Sequence, residues 1–120
     1  MSTTITLASA PPSTNNLFAT IGKKRVRTQR YSTWWSAAGW DIRTQNPQKV
    51  AGKVKLDISV KRPRSNADVS NYIKAAEDLL VSMNVIDDDK NVEEVTVRWA
   101  DVAGCEIIVT PVRDVISVAA

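Results

Sequence analysis

The clearest pattern in the chain is the strict alternation of Lys53-Val54-Lys55-Leu56-Asp57-Ile58-Ser59-Val60-Lys61. Side chains of a strand point to opposite faces in turn, so Val54, Leu56, Ile58 and Val60 must face a core while the charged partners face water. Thr4 to Leu7 alternates more briefly and predicts a short strand, ended by Pro11-Pro12-Ser13-Thr14-Asn15-Asn16, which no central strand accommodates. Val95, Val97 and Trp99 alternate with Glu94, Thr96 and Arg98 and predict a strand from Val92 to Ala100. Asp101 to Gly104 reads as a turn, with Cys105 to Val112 as the returning strand of a hairpin.

Two segments carry the helical period instead. From Ser32 to Arg43 a helix is predicted, with Ser32 or Thr33 as N-cap and Asn46-Pro47 as the stop. Trp34, Trp35 and Trp40 offer surface for base stacking. They recur with Ala37, Ala38 and Ile42 at helical spacing, so at least two are expected to pack the helix on a sheet. The second helix is predicted from Asp68 to about Asn84, with Val69, Ile73, Ala76, Leu80 and Met83 facing the core. Its opposite stripe carries Asp68, Asn71, Lys74 and Asp78, and the acidic run Asp87-Asp88-Asp89 follows it.

The order is therefore β-α-β-α-β-β, an α/β (α+β) domain with a single mixed sheet and two main helices. At 120 residues and 13.2 kDa the chain makes one domain, 1–120. Residues 19–31 are a basic segment, read either as a mobile loop or as a phosphate-contacting arm, and 113–120 are an apolar tail. Apolar and charged fractions of 43% and 24% are ordinary for a globular protein.

Charge distribution narrows the function. The net charge is only +3, yet Lys23, Lys24, Arg25, Arg27 and Arg30 crowd into one segment and Lys61, Arg62 and Arg64 into another. Basic surface around a compact acidic cluster suits a protein that holds phosphates while metal ions act on one of them. The absence of histidine removes His-based acid–base, nucleophile and zinc chemistry. Hydrolysis would have to use carboxylates with an oxygen-preferring ion, Mg²⁺ or Mn²⁺. The single Cys105 excludes an internal disulfide and fits a reducing compartment. No apolar run approaches the roughly 20 residues of a membrane span and no signal-peptide pattern is seen, so no membrane partner and a cytoplasmic location are expected.

Bland roles compete with this reading. Asp68 suits a helix N-cap, Lys74 an i,i+4 partner of Asp78, and Asp87 to Asp89 a solvated turn. Spacing also leaves open whether Asp68 and Asp89 can meet, because a continuous helix of about 16 residues would hold them about 24 Å apart.

The segment from Asn66 to Leu80, followed by Val85 to Val92, resembles the RusA family of Holliday-junction resolvases. That family's hallmark reads D-x-D-N-x-x-K-x-x-x-D-x-L, then an acidic pair before a strand. Pro11 to Asn16 is similar to its P-P-S-x-N-N loop, so the likeness spans Ile5 to Val112. The resemblance implies a homodimeric, Mg²⁺-dependent endodeoxyribonuclease, with Mn²⁺ as a substitute and no small-molecule cofactor. Such an enzyme nicks four-way DNA junctions in pairs during recombination and repair, and a bacterial or phage origin is implied.

Carried over, Asp68, Asp89 and Lys74 are catalytic, with Asp68, Asp89 and Asp88 on the metal and Ser70, Asn71 and Asp78 in support. Lys23, Lys24, Arg25, Arg27, Arg30, Lys61, Arg62, Arg64, Asn15 and Asn16 would contact DNA. The sequence departs from the pattern at Ser70, where the motif has its second aspartate. The alternative is accordingly a branched-DNA-binding protein with weak or no nuclease activity.

Overall fold

In the computed structural model, which describes residues 1–112, the order is β1 (Thr3–Leu7), β2 (Phe18–Ile21), β3 (Lys24–Arg27), α1 (Gln29–Gln45), β4 (Val54–Val60), α2 (Lys74–Ser82), β5 (Val92–Trp99) and β6 (Cys105–Pro111). The expectation for the 113–120 tail lies outside the described residues. The fold is α+β, with one mixed four-stranded sheet, a second two-stranded sheet and two helices.

The main sheet has the order β1-β6-β4-β5, with β4 parallel to β5 and antiparallel to β6. The expected hairpin between the last two strands is therefore wrong. β4 lies between them, pairing Ile58 with Val97 on one side and with Ile107 on the other. The reason is burial. β4 and β6 both bury every second residue, whereas β5 carries Glu93, Glu94 and Arg98 outward and takes the edge. Charged side chains suit an edge strand because they discourage pairing with another chain. Lys55–Glu94 and Arg98–Asp57, at 3.3 and 3.2 Å, then stitch it to β4 on the open face.

The core lies on the other face, where Ile5, Leu7, Val54, Leu56, Ile58, Val60, Ile107 and Val109 meet the helices. α1 buries Tyr31, Trp34, Ala38 and Ile42. It begins earlier than the sequence suggested because Thr28 is the N-cap, its Oγ1 accepting from the Tyr31 N–H at 3.1 Å. It stops where expected, at Asn46 in the left-handed region (φ 48) just ahead of Pro47. Trp34 is buried and Trp35 half-buried, as packing residues should be, while Trp40 is 65% exposed.

The basic segment 19–31 forms the β2–β3 hairpin running into α1. Gly22, at φ 64, is the first of the two residues in its turn, the position where type II′ hairpins take glycine. Tyr31 clamps the hairpin to α1, its ring 5.7 Å from Phe18 and 5.5 Å from Trp35. Arg25 lies over Phe18 at 4.1 Å, and Arg27 over Trp35 at 4.2 Å and Tyr31 at 5.1 Å.

The second predicted helix is also corrected. A turn of 3-10 helix covers Val69–Tyr72, and α2 runs only from Lys74 to Ser82. Its buried residues are Ala75, Ala76, Leu79 and Leu80, so Ala76 and Leu80 are buried as anticipated, Ile73 and Met83 pack against the core partly buried, and Ala75 and Leu79 are added. Ile73, itself in the right-handed helical region, joins the 3-10 turn to α2, and the change from 3-10 to α geometry alters the angular spacing assumed for one continuous helix.

Candidate active site

Shortening the helix changes where its acids lie. At 1.5 Å per residue, α2 advances only about 13 Å. Asn84, at φ 59, then turns the chain back, with the Val85 N–H bonding the Leu80 carbonyl at 2.9 Å. Asp87 anchors the return: one carboxylate oxygen accepts from the Gly52 N–H at 3.0 Å and the other meets Lys49 at 2.6 Å. Asp89 thereby comes back alongside α2 instead of lying beyond its far end.

The result is a compact ionic group. Lys74 Nζ stands 3.2 Å from Asp78 Oδ1 and 3.8 Å from Asp89 Oδ2. Roughly half of the Lys74 and Asp89 side chains remains exposed, at 48% and 50%, so both are open to a ligand. The Asp78 hydrogen bond, followed by the charges of Asp78 and Asp89, raises the Lys74 ammonium pKa above its ordinary value, so it stays protonated at neutral pH. Glu77, which sequence reasoning did not single out, belongs to the same surroundings. Burial raises its carboxyl pKa above the usual range, and the negative charge of Asp89 adds to the shift. Asp88 moves the other way, held low by a hydrogen bond with the Asp89 side chain and then by the Lys90 N–H at 3.2 Å.

Asp68 makes no ion pair with Lys74. It occupies the N-cap position of the Val69–Tyr72 turn but its side chain makes no capping bond, so the bland structural role is not taken up. Its carboxylate and the Ser70 hydroxyl are exposed, without a hydrogen bond or ion pair among the described residues. Among those residues, no three of the Asp, Glu, Cys and His type gather as a metal-holding group. The neighbouring Asn71 is fixed through its carbonyl, which accepts from Thr14 Oγ1 at 3.0 Å. That bond ties the Pro11–Asn16 segment to the Asp68 segment. Asn15 is exposed there, while Asn16 Nδ2 donates to Ser13 Oγ at 3.1 Å.

One depression borders the ionic group. Lying on the hairpin side, it has a volume of about 400 Å³ and is lined by Phe18, Arg27, Tyr31, Trp35, Asp78 and Asp89, among others. Burial raises the Tyr31 hydroxyl pKa, and Asp78 adds to the effect. In the sequence Tyr31 falls at the end of the basic segment 19–31, just before the predicted helix, and nothing in its spacing announced the acids.

The basic residues divide into two sets. Arg25 and Arg27 are committed to aromatic faces, and Arg62 lies over Trp99 at 5.5 Å while donating to the Ser65 carbonyl at 2.9 Å. Lys23, Lys24, Arg30, Lys61 and Arg64 are exposed, with no side-chain partner among the described residues. Cys105 is inert by comparison, buried with its thiol pushed up to about 12 by desolvation. No helix of the described residues is long and apolar enough to cross a membrane.

A family model described as Endodeoxyribonuclease RusA matches residues 9–110, which include every acid, amide and cation discussed above. A search of curated proteins found no match.

Proposed function

The chain belongs to the RusA endodeoxyribonuclease family, and from that premise we propose that it is a Mg²⁺-dependent homodimeric nuclease resolving four-way DNA junctions by paired symmetric nicks. The observation that supports this most is the return of Asp89 to Lys74, 3.8 Å away, at the start of a helix whose approach carries the unengaged Asp68. An exposed aspartate with no structural partner is free to bind a ligand.

The donor chemistry suits Mg²⁺, which keeps several waters and is held by one or two carboxylates together with substrate phosphate oxygens. Asp68 and Asp89 would hold it, with Asp88 beside them. A bound Mg²⁺ would polarise the scissile phosphate and lower the pKa of an attacking water. The chain's own groups then have distinct tasks. Lys74 offsets negative charge that develops on the phosphate. Asp78 fixes the Lys74 ammonium one helical turn away, and Thr14 pins the backbone of Asn71. The unpartnered cations around Lys23, Lys24, Lys61 and Arg64 hold flanking phosphates. A two-fold dimer supplies two equivalent sites for the two strands.

Ser70 sustains a second reading, a protein that binds branched DNA and cuts it weakly. A serine replaces an acid, no three acids group among the described residues, and Lys74 already neutralises two of them. Incubating the protein with a labelled synthetic four-way junction and titrated Mg²⁺ decides between the two. The nuclease reading expects paired nicks from the natural chain, and Ser70→Asp to lower the Mg²⁺ needed for half-maximal rate. Intact strands at saturating binding, with cutting gained only by Ser70→Asp, would establish the second reading instead.

The division among cations gives a further expectation. Lys23→Ala with Lys24→Ala should lower the slope of log affinity against log salt by roughly 2, about one per lost phosphate contact. Binding titrations at four or five salt concentrations measure it, and an unchanged slope would remove the hairpin tip from the DNA interface.

A further inference from the structure

A groove of about 510 Å³ is bounded by the Pro11–Asn16 segment, α1, Tyr72 and the loop at Pro63 and Arg64. Its size falls within the roughly 300–1,000 Å³ typical of pockets for small ligands. Pro11, Pro12, Trp34, Ala37 and Tyr72 give it apolar walls. Arg30 and Arg64 stand on its border, exposed, and neither guanidinium has a hydrogen bond, ion pair or ring contact among the described residues. Among the described residues, no acidic side chain lines it. The groove thus combines apolar walls with two uncommitted positive charges, whereas the depression beside Asp89 contains two carboxylates.

We propose that this groove receives one unstacked nucleotide of the DNA substrate, its base against the apolar walls and its phosphate on Arg30 and Arg64. The inference rests on the nuclease reading above and adds to it a site for a particular part of the substrate. Charge complementarity selects an anionic occupant, and the apolar walls select one that also carries a flat, poorly hydrated body. The border supplies acceptors for a base edge. Gln29 Nε2 donates to Thr33 Oγ1 at 3.0 Å and Asn16 Nδ2 to Ser13 Oγ at 3.1 Å, which leaves both amide oxygens free to accept from a base N–H. A base inside a continuous duplex cannot enter without the cost of unstacking, and that cost is smallest where pairing is already disturbed. A branch point meets that condition. The Thr14–Asn71 bond joins the groove wall to the turn after Asp68, so the captured nucleotide would help set which phosphate lies over the acids.

The test uses the full chain and four-way junctions carrying 2-aminopurine at successive positions around the branch, without divalent metal so that no strand is cut. Emission of this base rises when it leaves the stack. Binding of the natural chain should raise it several-fold at one position. Ala37→Leu, at an exposed helical site, fills the groove, and Arg30→Ala with Arg64→Ala removes its charges. Each change should abolish the rise and weaken junction binding roughly ten-fold, the scale of one lost base contact. Junction binding with no such rise, or with a rise that both variants retain, would overturn the nucleotide site and leave the nuclease reading standing. A chain that does not bind the junction at all would sink both.

Discussion

Asp89→Asn should reduce junction cleavage by at least about 100-fold while leaving junction affinity in the absence of metal within about three-fold. The substitution keeps the shape of the side chain and removes its charge, so the return of the chain after Asn84 is undisturbed. Two contributions are lost together. One of the carboxylates proposed to hold the metal becomes neutral, and interactions of that kind with the reacting group are each worth factors of roughly 10²–10³ in rate. Lys74 also keeps only Asp78 as its ionic partner, since the Asp89 oxygen at 3.8 Å no longer carries charge. Affinity should hold, or rise slightly, because a negative charge has been removed beside a polyanion. Initial rates on a labelled junction, with binding measured in chelator, separate the two effects. Cleavage within a few-fold of the natural chain would take Asp89 out of the chemistry and the proposed mechanism with it.

Gly104→Ala should destabilise the protein by about 3 kcal/mol, a large share of the roughly 5–15 kcal/mol that holds a domain of this size together. Gly104 is buried at the entry to β6, and its carbonyl accepts from the Lys61 N–H at 2.9 Å. A Cβ built there would stand 2.5 Å from both the Ala8 carbonyl carbon and the Ser9 nitrogen, and 2.6 Å from the Ala8 oxygen. All three are backbone atoms, so no side-chain rotation relieves the overlap and the chain leaving β1 must move. That segment also carries the Ser9 carbonyl that accepts from Trp34 Nε1 at 3.2 Å, so the disturbance would spread to α1. Urea unfolding should show the midpoint fall with little change in slope, and the melting temperature should drop by roughly 10 °C. A loss below about 1 kcal/mol would mean that the close approach of the chain at Ala8 is easily relaxed.

Several features were legible before any coordinates because they depend on local chemistry. Alternation at Val54 to Val60 requires one buried face wherever the strand sits, and β4 shows it without exception. Asn46-Pro47 ends α1 through backbone preferences of those two residues alone. The family, too, was carried by local strings, Pro11 to Asn16 and Asn66 to Leu80, and the matched span of residues 9–110 agrees with them. Errors arose where one pattern allows two arrangements. Two amphipathic strands joined by a turn suggest a hairpin, and only competition for the most buried position, won by β4, separates β5 from β6. The segment after Asp68 has helical spacing, but the geometry changes at Ile73 from a 3-10 turn to α2.

By itself, then, the sequence determined the reactive groups on offer: oxygen ligands without histidine, a motif lysine, a serine where an acid is usual, and two concentrations of positive charge. Tertiary structure alone decided their company. Asp87 was drawn into holding Gly52 and Lys49, Arg25 and Arg27 into covering aromatic rings, and Asp89 into meeting Lys74. The physical reason is that strand and helix periods are set by each residue's own backbone, whereas ionic and ring contacts join residues whose separation depends on every turn between them.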